Sequence, residues 1–462
     1  MRFPLFKRAN AFCCACFGRI KPSTLGLIGR HDRRQMPVGQ GGFHIGGLSI
    51  VRPHSSCTNH GRGVDRFAEA DFLYVYDCGS EPKKFVEREI RVFAKHRAHS
   101  RLDMLFLSHF DRDHIDGTPK LLSGKYGFQV DTILLPFVDE AERVIAFARA
   151  AASEGGGDGA ISHFFKNMII DPVVTLQEFG PRQIIQVADS EGNGPIDGNS
   201  SDAPLSNDHD AHLSWKLVAE NSETKKSLKI YRIPSNDKSE VFVVRNAAVS
   251  VLDRSGGFEW RLKPWVKPAN PLNVALFYDT AEQELGWDAG SFVSRMKNRI
   301  DRYNVVTSER TKLARAYTKA FTDKNLTSMC LYSGPAKPDT LEALTIEPFL
   351  PCSCKTKIGW MGTGDAHLKE DADIDQFEQF YQREIDYVSS FCFPHHGSIE
   401  NSNPDRLVSN ADNWIASADP IHNWLHPHPS LFVSALEKGE TRHVRSSEYS
   451  AFDEAVVVFA KI

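Results

Sequence analysis

The most informative part of the chain reads Ser108-His109-Phe110-Asp111-Arg112-Asp113-His114-Ile115-Asp116-Gly117. It follows directly on the apolar segment Met104-Leu105-Phe106-Leu107, which predicts a buried strand. Where such a strand turns into a loop, the side chains at positions 109, 111, 113 and 114 can converge on one side. Two imidazoles and two carboxylates this close together are typical ligands of one or two divalent cations. A solvated acidic loop is the alternative, but it gives no reason for histidines at this spacing.

Three further segments place acids or histidines beside glycine or proline, each after an apolar, strand-like run. They read Gly362-Thr363-Gly364-Asp365, Phe393-Pro394-His395-His396-Gly397-Ser398 and Leu425-His426-Pro427-His428-Pro429. Each alone is compatible with an ordinary turn or a helix N-cap. Because residues at strand ends lie at the rim of a sheet, the recurrence of this pattern predicts that they meet at one site.

Taken together, these motifs resemble the metallo-β-lactamase superfamily, and within it the branch typified by the hydrolase domain of the DNA-uptake protein ComEC. The segment from His109 to His114 matches the HxDxDH motif of that branch position by position, and the three further segments match its TGD, HHGS and HPHP motifs. Its VGQG turn resembles residues 38–41, its D-x-G resembles residues 77–79 and its N-x-x-S resembles residues 325–328. The resemblance does not extend to the transmembrane channel of ComEC proteins.

The resemblance implies the fold, an α/β metallo-β-lactamase-like αββα sandwich with a large insertion. Asp365 lies much further beyond His114 than in compact relatives, so residues 153–324 are expected to be inserted within a domain of residues 36–462. Residues 187–212 are rich in Asp, Ser, Asn and Gly and are expected to form a mobile loop or linker.

The resemblance also implies the ligands of one or two divalent metal ions, Zn²⁺ or Mn²⁺. Asp365 would bridge two ions, because a carboxylate has two oxygens to share. The superfamily's separate middle histidine has no clear counterpart, which leaves open whether one ion or two are bound. The implied ligands are His109, Asp111, Asp113, His114, Asp365, His395, His396 and His428.

Two smaller groups of residues receive roles from the same resemblance. Asp113, His396 and His426 would take part in catalysis. Asp77, Asn325 and Ser328 would lie one layer out, with Asp77 orienting a ligand histidine through its second ring nitrogen.

The implied activity is hydrolysis by a metal-activated water, with a phosphodiester in a nucleic acid or nucleotide as substrate, as in a nuclease. Lactone or β-lactam hydrolysis on the same metal core is one alternative, and a non-catalytic binding or regulatory module is another. Residues 260–267 alternate aromatic and basic side chains, which suits a nucleic-acid strand or else a strand edge with solvated lysines.

Composition sets the remaining expectations. The 462 residues include 55 Lys and Arg against 59 Asp and Glu, so no global basic field would hold the chain on nucleic acid. No apolar run reaches the length of about 18 residues that a membrane span needs. The nine cysteines do not suggest a disulfide scaffold, and a reducing, cytoplasmic location is expected. Nothing in the sequence indicates a protein partner.

The first 35 residues are basic and contain a single acid, Asp32. This composition predicts a disordered tail, or a segment upstream of a translation start at Met36. An organelle-targeting leader is the alternative, because such leaders are also basic and poor in acids.

Overall fold

In the computed structural model the chain is a mixed α/β protein with two large sheets. The structure describes residues 28–51, 67, 70–95, 101–123, 126, 128–153, 161–189, 212–219, 228–235, 239–321, 327–337, 341–346, 353–355, 357–419 and 425–460. Asn325 and residues 190–211, which make up most of the predicted mobile loop, lie outside the described residues.

The first sheet has eleven strands. In spatial order they are β14 (Ser353–Lys355), β13 (Leu341–Ile346), β19 (Phe452–Ala460), β1 (Ile28–Gln35), β2 (His44–Val51), β3 (Phe72–Tyr76), β4 (Arg101–Phe106), β5 (Gln129–Pro136), β6 (Gln183–Val187), β9 (Glu240–Arg245) and β8 (Lys229–Ile233). Neighbouring strands from β3 through β6 to β9 pair in parallel. Because parallel strands are covered on both faces, their sequences are almost continuously apolar.

The second sheet has eight strands. In spatial order they are β18 (Glu440–Val444), β17 (Asn413–Ser417), β16 (Val388–Cys392), β15 (Gly359–Gly362), β12 (Ser328–Pro335), β11 (Glu259–Lys267), β10 (Ala247–Asp253) and β7 (Leu213–Ala219). The strands β15, β16, β17 and β18 are mutually parallel, so their carboxyl ends lie at one edge of this sheet.

The helices connect the strands and cover the sheets. They are α1 (Lys84–Lys95), α2 (Arg112–Ile115), α3 (Thr118–Leu121), α4 (Glu140–Ser153), α5 (His163–Ile170), α6 (Pro172–Gln177), α7 (Pro271–Leu285), α8 (Phe292–Lys297), α9 (Arg299–Ser308), α10 (Arg310–Ala320), α11 (Asp371–Phe380) and α12 (Pro429–Leu436). Among the described residues, no helix combines the length and the apolar character needed to cross a membrane.

The two sheets pack face to face. Tyr74 and Phe106 of the first sheet share a buried cluster with Trp260 and Trp360 of the second. Val75, whose side chain points to the opposite face from Tyr74, belongs instead to the core between the first sheet and the helices α1, α4 and α10. A third cluster joins the outer face of the second sheet to α11 and α12. The layers therefore run helices, sheet, sheet, helices.

The prediction that residues 1–35 form a disordered tail is wrong for the last eight of them, which form β1 between β19 and β2. The sequence of β1 is rich in charged residues and so does not resemble a buried strand. The Arg33 side chain is nevertheless completely buried. Its guanidinium lies 2.6 Å from the equally buried Glu454 carboxylate. Burial of an arginine is tolerated here because the charge is paired.

The predicted insertion of residues 153–324 does not form a separate unit in its described part. It supplies β6, β8 and β9 to the first sheet and β7, β10 and β11 to the second. Its helices α7 to α10 join the core on the outer face of the first sheet.

Neither interpretation of residues 260–267 is correct, since this segment lies in β11 between β10 and β12. Trp260 is fully buried, and Lys263 is almost so. The Lys263 ammonium is 3.1 Å from the Glu384 carboxylate, so it is paired inside the protein and is not displayed to a nucleic acid.

Candidate metal centre

Strand ends from both sheets bring the chemically informative residues together. Asp77 follows β3, and His109 comes shortly after β4, its parallel neighbour. Asp365 follows β15 of the second sheet, while His395 and His396 follow its parallel neighbour β16. Because the carboxyl ends of parallel strands share an edge, four separate parts of the chain reach one place.

The backbone is bent sharply at three of these residues. Asp77, His395 and His396 have φ angles of 59°, 46° and 61°, in the left-handed region that side chains with a Cβ rarely adopt. All three residues are buried. Such conformations persist where the surrounding structure enforces them, and they concentrate at functional sites.

The buried Asp77 carboxylate orients two histidines. The His114 Nδ1–H donates to Asp77 Oδ2 over 2.8 Å. The Ser108 hydroxyl donates to the same oxygen over 2.7 Å and accepts from His109 Nδ1 at 2.7 Å. Both imidazoles thus carry their proton on Nδ1, which leaves a lone pair on each Nε2 for a ligand. The contact predicted between Asp77 and a histidine is present.

Those two Nε2 atoms face Asp365. His114 Nε2 is 3.3 Å from Asp365 Oδ1, and His109 Nε2 is 3.5 Å from Asp365 Oδ2. Both nitrogens and Asp365 Oδ1 are buried without a hydrogen-bond partner among the described residues. Leaving a buried polar atom unsatisfied costs about 1–3 kcal/mol, so three together call for a partner that the protein itself does not supply.

A second group of donors adjoins the first through His114. His396 Nε2 lies 3.0 Å from Asp113 Oδ2 and 3.9 Å from Asp365 Oδ1, and His114 Nε2 lies 3.9 Å from Asp113 Oδ2. Ligand atoms about 2.1 Å from a tetrahedral ion are roughly 3.4 Å apart, which is the spacing seen here. These histidines and aspartates could therefore hold a metal ion.

Arg149, on α4, lies beside Oδ2, the second carboxylate oxygen of Asp365. Its Nη1 contacts Asp111 Oδ2, and its Nη2 lies 3.5 Å from Asp365 Oδ2 and 3.3 Å from His395 Nε2. The guanidinium is largely buried, with 12% of the side chain exposed. The Asp111 carboxylate is thereby paired with an arginine inside the protein.

The carboxylates dominate the electrostatics of the site. Burial and His114 lower the pKa of His109, but Asp365 and Asp111 outweigh them and raise it to about 9. At His395 the effect of burial exceeds that of Asp365, so the pKa is lowered to about 4 and the ring is neutral. A field of carboxylates that holds a proton on an imidazole also favours a metal cation in its place.

The structure brings most of the predicted ligands together, but His428 has a different role. His428 is the N-cap residue of α12, and its Nδ1 is 2.7 Å from Ser430 Oγ. It is absent from the clusters of possible ligands found among the described residues.

The remaining residues predicted for the site, the catalytic candidate His426 and the outer residues Ser328 and Asn325, have mixed outcomes. Ser328 Oγ accepts from the Asp365 backbone amide at 3.1 Å, so it lies where it was expected. The His426 ring centroid is 5.3 Å from that of His395 and 6.4 Å from that of His396, at the rim of the centre. Asn325 lies outside the described residues.

Sequence analysis missed three residues of the site. Ser108 was quoted only as part of the motif, although its hydroxyl links Asp77 to His109. Asn401 accepts from His395 Nδ1 at 2.7 Å and donates to the Asp365 carbonyl at 3.1 Å. Arg149 stands among alanines in a helix, and that composition was the one available signal for it.

Contacts within the centre join distant parts of the chain, such as Asp113 and His396, which are 283 positions apart in the sequence. Neither a family model nor a curated protein matches the chain. The chemistry assigned to the site therefore depends on its own geometry and donor set.

Proposed function

We propose that the protein is a metal-dependent hydrolase and that phosphodiesters are its substrate class. One observation carries the proposal: the Nε2 atoms of His109 and His114 and Oδ1 of Asp365 are buried, face one another and lack hydrogen-bond partners among the described residues. Imidazole nitrogen and carboxylate oxygen are ligands suited to Zn²⁺ or Mn²⁺.

The residues of the metal centre would then have separate roles in binding the ion, orienting a ligand and donating a proton. His109, His114 and Asp365 would hold the ion together with Asp113 and His396, and Asp77 would keep the His114 lone pair directed at it. A divalent ion so held supplies a water molecule of lowered pKa and a positive charge for an oxyanion. His426, at the rim, is the proposed proton donor to the leaving group.

The proposed fold is that of the metallo-β-lactamase superfamily. The layers of helices, sheet, sheet and helices support this assignment, as does the position of the motif residues at the carboxyl ends of β3, β4, β15 and β16. The substrate class follows from the resemblance of the HxDxDH, TGD and HHGS motifs to the ComEC branch. The buried Arg149 is compatible with an anionic substrate, because it adds a fixed positive charge beside Asp365.

The test is a hydrolysis screen of the purified full-length chain supplied with Zn²⁺ or Mn²⁺. Bis-p-nitrophenyl phosphate, DNA and RNA represent the proposed substrates, while a lactone and a chromogenic β-lactam represent the alternative class. We expect phosphodiester turnover that EDTA abolishes and that Asp365→Ala lowers by at least about 100-fold. Turnover of the lactone or β-lactam alone would reassign the substrate class. A metal-replete protein that turns over none of these would instead support a non-catalytic module.

A further inference from the structure

Asp365 has two sides, and only one of them faces Arg149. The Arg149 guanidinium contacts Asp111 Oδ2 and lies 3.5 Å from Asp365 Oδ2. It also lies 3.3 Å from His395 Nε2, whose lone pair is exposed to it because the His395 Nδ1–H donates to Asn401. The Arg149 guanidinium therefore contacts two carboxylate oxygens and one imidazole nitrogen, and a metal ion on this side would bind the same three atoms.

The opposite side of Asp365 is arranged differently. There Oδ1 faces His114 Nε2 at 3.3 Å and His396 Nε2 at 3.9 Å, and Asp113 closes the group. Oδ1, His114 Nε2 and His109 Nε2 lack hydrogen-bond partners among the described residues, whereas Oδ2 has the arginine within 3.5 Å. The Arg149 guanidinium thus provides a positive charge beside Oδ2. On the other side, Oδ1 and His114 Nε2 remain without a hydrogen-bond partner in the described part of the chain.

We propose that Arg149 takes the place of one of the two cations such a centre could hold, so that the protein binds a single divalent ion on the His114 side of Asp365. This inference rests on the proposed metal-dependent function. It adds that a divalent ion occupies one side of Asp365, while the Arg149 guanidinium provides the positive charge on the other side and cannot exchange with solvent ions.

Repulsion between cations and competition for ligand atoms both support a single ion. The carboxylates of Asp77, Asp111 and Asp365 are buried, and the Arg149 guanidinium already lies against two of them, Asp111 and Asp365. A second divalent ion beside Arg149 would be repelled by the guanidinium at close range. The guanidinium and a second ion would also compete for the same oxygens of Asp111 and Asp365.

The proposal is tested by counting metal ions. The wild-type chain, Arg149→Met and the control Arg315→Met are loaded with excess Zn²⁺ or Mn²⁺, freed of unbound ions by gel filtration and measured by elemental analysis. Arg315 is an exposed arginine on α10, so its replacement removes the same charge away from the centre. We expect about one ion per chain in the wild type and in Arg315→Met, and about two in Arg149→Met. Two ions in the wild type, or one in a folded Arg149→Met, would overturn the inference.

A second pair of variants keeps Arg149 and so remains informative if its replacement unfolds the chain. His396→Ala removes a ligand on the metal side, and His395→Ala removes the imidazole that contacts Arg149. We expect His396→Ala to lose most of the bound ion and His395→Ala to retain about one ion per chain. Loss of the ion in His395→Ala and its retention in His396→Ala would overturn the inference. A wild-type chain that binds no metal would reject the proposed function as well, whereas two ions would reject the arginine proposal alone.

Discussion

His114 Nδ1 lies 2.8 Å from Oδ2 of Asp77, and this contact determines which nitrogen of the imidazole faces the centre. The carboxylate is fully buried and is held by the Ser108 backbone amide at 2.7 Å on its other oxygen. The orientation of the ligand is thus set by β3 and β4 before any ion binds. A carboxylate behind a ligand histidine also strengthens the histidine as a donor.

Replacing this carboxylate tests its orienting role. Asp77→Asn keeps the size of the side chain but removes the charge that holds the proton on His114 Nδ1. We expect metal affinity to fall by about 10-fold to 100-fold, measured by competition with a chromophoric chelator. Asp405→Asn, at an exposed position, is the control and should bind metal like the wild type. Unchanged affinity in Asp77→Asn would mean that the contact is not needed to orient His114.

Gly42 makes the close approach of these two residues possible. A Cβ at position 42 would lie 2.8 Å from His114 Nδ1 and 2.8 Å from Asp77 Cβ. We expect Gly42→Ala to separate Asp77 from His114 and so to reduce metal content, measured by elemental analysis. Gly180→Ala is the control, because its surroundings are open and it carries only the cost of its φ of 68°, about 1–2 kcal/mol. Equal metal content in the two variants would contradict this account of Gly42.

The buried pair of Arg33 and Glu454 is expected to be a main contributor to the stability of β1. Arg33→Ala would leave the Glu454 carboxylate buried and unpaired, which typically costs about 3–5 kcal/mol in the free energy of unfolding. Arg34→Ala is the matched control on the same strand, because its partner Asp453 is partly exposed and the loss should be about 1 kcal/mol or less. Urea denaturation measures both values. Similar losses in the two variants would show that burial of the first pair does not set its contribution.

Glu142 predicts a dependence of stability on pH. Burial raises the pKa of its carboxyl to about 7, above the ordinary value of 4.5. The folded state therefore holds a proton that the unfolded state has lost between these values, and stability falls as the pH rises from about 4.5 to about 7. Glu142→Gln removes the ionisation, so relative to the wild type it should gain up to about 3 kcal/mol at pH 8 and little at about pH 4.5. Urea denaturation in EDTA checks this, and equal effects at both pH values would contradict it.

The sequence-based predictions succeeded where a segment carries its own signal. The strand β4 was predicted to within a few residues, because strands covered on both faces have almost continuously apolar sequences. The metal-ligand motif was recognisable because its ligands are contiguous in the chain. What such signals could not reveal was pairing between distant residues: β1 is polar in sequence, and its burial depends on Glu454, more than 400 positions later. Arg149 enters the site through packing of α4, which no local pattern encodes.

The central claim is that Asp365 joins the two sides of a metal centre, and metal content measures it most directly. The wild type and Asp365→Ala are loaded with Zn²⁺ or Mn²⁺ under the same conditions, with circular dichroism to confirm that both are folded. We predict that the wild type retains its ion through gel filtration and that Asp365→Ala retains about a tenth of that amount or less. A folded Asp365→Ala with the full metal content of the wild type would contradict the account.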